Sequence, residues 1–272
     1  MIEDKRFAVL IDGDNISAKY IKYVMDEVAN FGVATYKRIY SDWTLPSAGG
    51  WKDVLLEYSV TPVQQYGYTV GKNATDSAMI IDAMDILYTE KVDGFCIVSS
   101  DSDFTKLASR LRESAMTVIG MGEKKTPKPF IAACNQFKYL DVLAGSEAIP
   151  ATSNLDDTSN KPAKDNNGST KNMTDINVIR STIIKILNES DNQSITLAEV
   201  GNRLAKRYPD FDVRNYGYTK LSKFLRMFDF LIIRTDKNEG NIMWVSLKSE
   251  TPDNLEDTVV LAPKRKRHKK KK

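Results

Sequence analysis

Apolar and polar residues alternate in blocks along the first half of the chain, and the blocks have strand and helix lengths in turn. Residues 7–11 and 95–98 are continuous apolar runs, typical of strands that are buried on both faces. Apolar residues recur at helical spacing between residues 17 and 31, and Gly32 follows as a stop signal. The pattern predicts further strands at 33–40, 62–66, 117–121 and 137–140, and helices at 51–58, 74–88, 104–112 and 127–134. This alternation predicts a three-layer α/β domain with a central parallel sheet.

A second ordered block follows a polar stretch at residues 145–172, which has too few apolar residues to form a core and is predicted to be a flexible linker. Helices are predicted at 175–187, 197–208 and 218–227, and strands at 230–234 and 242–247. Thr196 can cap the second of these helices, with Glu199 at the capping-box spacing. Three helices followed by a hairpin predict a small winged-helix domain, with the turn at 236–241 as its wing. The predicted organisation is therefore a domain at 1–144, a linker at 145–172, a winged helix at 173–248 and a disordered, acidic-then-basic tail at 249–272.

Charge is distributed unevenly over these parts. The formal net charge is +3, but residues 264–272 alone hold 8 Lys and Arg and no acid, which leaves −5 for the rest. Residues 1–144 carry −3 and residues 172–248 carry +3. We expect a mildly acidic module that works through a metal, with nucleic-acid affinity supplied by the second domain and the tail.

The scarcity of histidine and cysteine argues against two other kinds of active site. The one His, at position 268, lies in the tail, which argues against a zinc site and a His-based catalytic base. Cys96 lies inside an apolar strand and is expected to be a buried small hydrophobe. No apolar run approaches the roughly 20 residues that cross a bilayer, and no apolar signal precedes the first strand. We expect no membrane association and a cytoplasmic location, or a nuclear one in a eukaryote because the basic tail is typical of a localisation signal.

Acidic residues follow predicted strands or open a helix. Asp12 ends the first strand, Asp76 lies in the first turn of a helix, and Asp101 and Asp103 follow the strand at 95–98. The carboxyl ends of parallel strands share one crevice, so these side chains can converge, and converging carboxylates usually need a cation. Simpler roles compete: Asp12 as a turn residue, Asp76 as a favourable charge at a helix start, and one of Asp101, Ser102 and Asp103 as a helix cap.

Several residues close to these aspartates in the sequence have more than one possible role. Asn15 can hold Asp12, contact a phosphate or cap a helix, and Lys72 and Asn73 stand where they could meet phosphate. Asp14 is interpreted as a loop residue. Asp82 lies about 240° round the helix from Asp76, so a salt bridge or a cap role suits it better than a place in the site.

Three motifs together resemble a known family. Asp12-Gly-Asp-Asn15, Lys72-Asn73-Ala-Thr-Asp76 and Ser100-Asp101-Ser-Asp103-Phe104 resemble the NYN domain of PIN-like ribonucleases, also known as the LabA/DUF88 group, over residues 6–141. The resemblance implies an acidic site of Asp12, Asp76, Asp101 and Asp103 that binds Mg²⁺ or Mn²⁺, with Asn15 beside it. It also implies hydrolysis of RNA by a metal-activated water.

A second set of motifs lies in the later block: Leu197-Ala-Glu-Val-Gly201-Asn-Arg-Leu204, Tyr208-Pro-Asp-Phe211-Asp and Tyr216-Gly217-Tyr218. With these motifs, residues 174–247 resemble the OST-HTH (LOTUS) domain, and the resemblance implies RNA binding and, in some members, protein binding. The aromatic residues of this segment are expected to form its core. Its basic side chains could follow phosphates or form a solvated surface. The basic residues in question are Arg203, Lys206, Arg207, Arg214, Lys220, Lys223 and Arg226.

Two other functions compete with a metal-dependent ribonuclease. The first is a non-catalytic RNA-binding or regulatory adaptor that keeps the acidic site for structure. The second is a phosphatase of the haloacid-dehalogenase type, because Asp12-Gly13-Asp14 has that Asp-x-Asp spacing. The order of the lysines and the RNA-binding-like second domain argue against the phosphatase. The pattern does not predict the oligomeric state.

Overall fold

A computed structural model describes residues 4–67, 73–146, 172–190, 193–236 and 240–248. Lys72, the tail and all but the ends of the predicted linker lie outside these ranges. The described residues of the first domain contain the strands β1 (Arg6–Asp12), β2 (Val33–Ser41), β3 (Thr61–Gln64), β4 (Gly94–Val98), β5 (Thr117–Gly122) and β6 (Gln136–Tyr139). These strands form one parallel sheet in the order β3-β2-β1-β4-β5-β6.

Helices cover both faces of this sheet, which confirms the predicted three-layer fold. The helices are α1 (Ile21–Ala29), α2 (Lys52–Glu57), α3 (Ala74–Tyr88), α4 (Thr105–Glu113), α5 (Lys128–Ala133) and α6 (Leu140–Ser146). α3, α4 and α5 pack on the face that receives Leu10 and Ile97, while α1, α2 and α6 pack on the face that receives Val9 and Cys96. β1 and β4 therefore have apolar side chains on both faces, which explains their continuous apolar runs.

The strand order determines where a crevice can form at the edge of the sheet. From β1, strands β2 and β3 follow one another toward one edge of the sheet, whereas β4 lies on the other side of β1. At such a reversal, the loops that follow the two central strands diverge and leave a crevice at the carboxyl edge of the sheet. Asp12 ends β1, and the run from Ser99 to Asp103 follows β4.

The second domain combines short helices with a small sheet. Its described elements are α7 (Ile176–Asn188), α8 (Leu197–Arg207) and α9 (Leu221–Leu225), with strands β7 (Ser194–Thr196), β8 (Leu231–Asp236) and β9 (Ile242–Leu247). The strands form an antiparallel sheet in the order β7-β9-β8. Fully buried Phe224 has the rings of Phe211, Tyr216, Tyr218 and Phe228 at centroid distances of 5.1–6.0 Å, which confirms the predicted aromatic core.

The structure corrects several predicted elements. The helix predicted at 218–227 is limited to α9, because Gly217 adopts a left-handed conformation with φ of 81° and Lys220 is extended before the helix begins. The strand predicted at 137–140 ends at Tyr139, and Leu140 begins α6 instead. β7 was not predicted, since three residues give no readable alternation. Residues 237–239 of the predicted wing lie outside the described ranges.

Two smaller predictions, for Thr196 and Cys96, are confirmed. Thr196 caps α8 by accepting a hydrogen bond from the backbone N–H of Glu199 at 3.2 Å. Cys96 is fully buried. No helix in the described ranges has both the length and the apolar character that crossing a membrane requires.

Candidate metal centre

Three carboxylates meet at the carboxyl edge of the sheet. Asp76 lies in the first turn of α3, and Asp101 and Asp103 lie in the loop and short 3-10 turn after β4. One carboxylate oxygen from each falls within 4.8 Å of the others. Carboxylate oxygens are the preferred ligands of hard divalent cations, so this set could hold such an ion.

The electrostatics of Asp76 fit that interpretation. Burial, followed by the negative charges of Asp12, Asp101 and Asp103, raises the pKa of Asp76 from its ordinary value of 3.8 to about 6. The proton is held because the ionised form is half-buried among like charges. A divalent cation would remove this repulsion, and the donor set therefore fits a metal both by ligand type and by charge.

Asp12 lies beside this set but outside the three whose oxygens fall within 4.8 Å of one another. Its side chain is 1% exposed. One carboxylate oxygen accepts from the backbone N–H groups of Asp14 and Asn15 at 3.2 Å, and the other accepts from Asn15 Nδ2 at 2.8 Å and Ser99 Oγ at 2.6 Å. Burial raises the pKa of Asp12, although the hydrogen bonds from Ser99 and Asn15 oppose the increase. Asp12 thus ties the end of β1 to the end of β4 and acts on Asp76 through its charge.

Ser99 is a site residue to which sequence reasoning gave no separate role. Its hydroxyl donates to Asp12 at 2.6 Å and accepts from the backbone N–H of Asp101 at 3.0 Å. It therefore links the buried aspartate of β1 to Asp101, the first aspartate of the loop after β4. The only sequence signal was its position directly after a buried strand.

The loop after β4 is fixed by its own side chains. Asp101 Oδ1 caps the short 3-10 turn by accepting from the backbone N–H of Asp103 at 2.9 Å. Asp101 is thus the cap, and it still belongs to the three-carboxylate set. Asn73, considered above as a phosphate contact, donates its side-chain amide to Asp103. Asn15 likewise holds Asp12 in the structure.

Two further acidic residues, Asp82 and Asp14, lie outside the three-carboxylate set. Asp82 forms a salt bridge with Arg38 and accepts from Tyr40 Oη, as expected from its place on α3. Asp14 lies in the loop after β1, where Ser41 Oγ donates to it at 2.7 Å.

The predicted RNA-contacting cations have different surroundings. Lys72 lies outside the described residues. Arg203 pairs with Glu199 at 2.7 Å on the surface of α8. Arg207, Lys220 and Lys223 are exposed, and Arg207 lines a groove between the two domains.

Comparison with known proteins gives two family matches. A family model of the NYN domain matches residues 6–141, and one of the OST-HTH/LOTUS domain matches residues 174–243. Among solved structures, the chain is similar to a crystal structure of a protein of unknown function from Vibrio parahaemolyticus, with 18% identity and a TM-score of 0.43. That similarity covers 51% of this chain and 94% of the other. No curated protein matches the chain.

Proposed function

The chain belongs to the NYN domain family and carries an OST-HTH/LOTUS domain, and from this premise we propose that it is a metal-dependent ribonuclease. NYN domains belong to the PIN-like nuclease superfamily, and an OST-HTH domain suggests RNA binding. The observation that carries the proposal is the set of Asp76, Asp101 and Asp103 oxygens within 4.8 Å of one another.

In this proposal the three carboxylates hold Mg²⁺ or Mn²⁺, with Asp12 as the fourth acidic member of the site. A bound divalent cation supplies a water nucleophile of lowered pKa and stabilises negative charge on the phosphoryl oxygens. Asp76 must be ionised to take part, and with a pKa of about 6 it has released its proton at neutral pH. Ser99 and Asn15 keep Asp12 in place, so the ends of β1 and β4 stay in register at the site.

RNA is the proposed substrate because of the second domain. We propose a division of labour between a catalytic domain at 1–144 and an RNA-binding domain at 173–248, with Lys72 and the basic tail as further phosphate contacts. The cations proposed for RNA binding in the second domain are Arg203, Arg207, Lys220 and Lys223. The positive balance of this domain supports that assignment.

Separating cleavage from binding tests the proposal. Asp101→Asn should abolish cleavage of a labelled RNA in Mn²⁺ or Mg²⁺ and leave RNA affinity, measured in EDTA, within about twofold of wild type, since binding is assigned to other residues. Asp85→Asn, on the exposed side of α3, is the matched control and should cut normally. Equal cleavage by Asp101→Asn and wild type would reject the catalytic site. RNA binding without any chelator-sensitive cleavage in the wild type would favour the adaptor.

A further inference from the structure

The second domain docks on the open edge of the parallel sheet. The backbone N–H of Phe137, in edge strand β6, donates to the carbonyl oxygen of Pro209 at 2.7 Å. Tyr139 Oη, two residues on, donates to Asp210 Oδ2 at 3.3 Å. The edge strand of the first domain is therefore covered by the loop that follows α8.

An ion network fixes this arrangement. Lys138 Nζ lies 2.8 Å from Asp212 and 3.3 Å from Glu27, and Arg214 contacts the same two carboxylates at 2.7–3.1 Å. Glu27, Lys138 and Asp212 have side chains only 7%, 12% and 13% exposed. Two cations face two carboxylates, one of each sign from each domain. Charges withdrawn from water in this way are strongly unfavourable once a partner is removed.

Docking creates a groove whose two walls come from different domains. Its volume is about 590 Å³. Its polar lining consists of Arg112, Asn135 and Gln136 from the first domain and Asn202, Lys206 and Arg207 from the second. Three cations and three side-chain amides line it, and no described carboxylate does. Such a lining favours an anion with many acceptor oxygens.

The cations of the groove are available for such a ligand. Lys206 and Arg207 are exposed, and neither is paired with a described carboxylate. Arg112 Nη1 donates to the carbonyl oxygens of Ala132 and Ala133 at 3.3 and 3.2 Å, which holds the guanidinium against the end of α5. Its remaining N–H groups can still donate into the groove.

The groove continues along α5 toward the carboxyl edge of the sheet. A second cavity shares Ala132, Arg207 and Pro209 with it and extends along α5 to Lys128, at the start of that helix. Its lining also includes two carboxylates, Asp175, which caps α7, and the buried Asp210, which accepts hydrogen bonds from Thr174. α5 runs from the carboxyl end of β5 to the amino end of β6, which is parallel to β5. Lys128, at the start of α5, therefore lies at the carboxyl edge of the sheet, as the acidic set does.

The loop between β5 and α5 joins this end of the groove to the loop that carries Asp101. The backbone N–H of Glu123 donates to Ser100 Oγ at 2.9 Å. In the same loop, the carbonyl oxygen of Lys125 accepts from Asn172 Nδ2 at 3.2 Å. Asn172 also lines the second cavity.

We propose that the groove between the two domains binds the phosphate backbone of RNA and guides it along α5 toward the acidic set. The proposal rests on the proposed ribonuclease function for its choice of polyanion. Neither domain alone forms the site, because Arg112 and Lys206 stand on opposite walls.

A charge-reversal pair tests the groove in the full chain. Lys206→Glu with Arg207→Glu should weaken RNA binding in EDTA on the order of tenfold or more and reduce the slope of log affinity against log salt by about 2. Lys185→Glu with Arg234→Glu makes the same charge change at exposed positions of the same domain, away from the groove, and should weaken binding about twofold. If both pairs lose the same RNA affinity, the effect comes from overall charge and the proposal is overturned. Unchanged RNA affinity of the groove pair would also overturn it.

An undocking variant tests whether the groove depends on both domains. Glu27→Arg puts a third cation against Lys138 and Arg214 and should separate the domains, seen as a larger radius of gyration in solution scattering. All groove cations remain and the net charge becomes more positive, so a loss of RNA affinity on the order of tenfold would support a composite site. Undocking with unchanged or tighter binding would overturn it.

These outcomes are separable from those for the ribonuclease function because binding is measured without metal. A chain that binds RNA through the groove but never cuts would refute only the nuclease. If the wild type cuts RNA and both charge-reversal variants bind RNA as tightly as the wild type, only the groove proposal is refuted.

Discussion

Replacing Asp76 with Asn should make the metal-free protein more stable, although it removes a proposed metal ligand. Burial and four neighbouring carboxylates raise the pKa of Asp76 from 3.8 to about 6, so ionising it costs more in the folded state than in the unfolded one. Two pKa units correspond to about 3 kcal/mol, and because the side chain is only half-buried, solvent screening reduces this to about 1–2 kcal/mol. Asp76→Asn should therefore raise the melting temperature in EDTA at pH 7.5 by about 2–8 °C.

The pH dependence has a defined sign. Below pH 3.8 the side chain is protonated in both states, and the variant gains nothing over wild type. As the pH rises toward 6 the unfolded chain releases its proton while the folded chain retains it, so the wild type loses stability relative to the variant. Above pH 6 the difference is constant.

Thermal melts of wild type, Asp76→Asn and Asp85→Asn in EDTA from pH 4 to 8 are the assay. Asp85 lies nine residues further along α3, about 13 Å away, and its substitution should have little effect at any pH. Mn²⁺ should then raise the melting temperature of wild type and not of Asp76→Asn, because only an intact site gains binding free energy. A less stable Asp76→Asn in EDTA, or an advantage that does not shrink on acidification, would refute the electrostatic argument.

Three further substitutions test how the site and the domains are held. Ser99→Ala leaves the buried carboxylate of Asp12 without one donor and should destabilise the protein by about 1–3 kcal/mol in urea melts, with slower RNA cleavage; unchanged stability would contradict the role of this hydroxyl. Gly122→Ala should cost about 1–3 kcal/mol and most of the cleavage, because its Cβ would lie 2.5 Å from the Ser99 carbonyl oxygen, whereas Gly49→Ala meets no atom within 4 Å and should be neutral. Asp212→Ala removes one carboxylate of the ion network, so the two domains should separate and the radius of gyration at neutral pH should increase. A radius of gyration equal to that of the wild type would contradict the role of the network in docking.

The sheet edge of the site could be predicted from the sequence, because parallel strands covered on both faces require continuous apolar runs. The runs at 7–11 and 95–98 placed Asp12 and Asp101 after two strands, which the structure shows to be adjacent and central. Asp76 was less certain from its residues alone, since a carboxylate in the first turn of a helix is favourable without any metal. The resemblance to NYN domains included it.

The inner arrangement of the site depends on side-chain geometry that no spacing encodes. The resemblance implied a site of Asp12, Asp76, Asp101 and Asp103, and it gave no sign that both oxygens of Asp12 would accept hydrogen bonds from Asn15, Ser99 and backbone N–H groups. Periodicity identifies which face of an element is buried, not which hydroxyl a buried carboxylate accepts from.

The docking of the two domains could not be predicted from the sequence either. Glu27 and Arg214 are separated by 187 positions, and each alone is an ordinary charged residue in a helix or a loop. Only the folded chain brings them together with Lys138 and Asp212. The same holds for the groove, whose cations are 94 positions apart between Arg112 and Lys206.

Manganese occupancy and RNA cleavage measured on the same sample test the central claim most directly. Mn²⁺ bound to the protein is counted by electron paramagnetic resonance during a titration, and cleavage of a labelled RNA is timed at each point. The account predicts that the cleavage rate rises in proportion to occupancy in wild type, that EDTA reverses both, and that Asp101→Asn shows neither. Cleavage without bound Mn²⁺, or full occupancy of the acidic set without cleavage of any RNA, would contradict it.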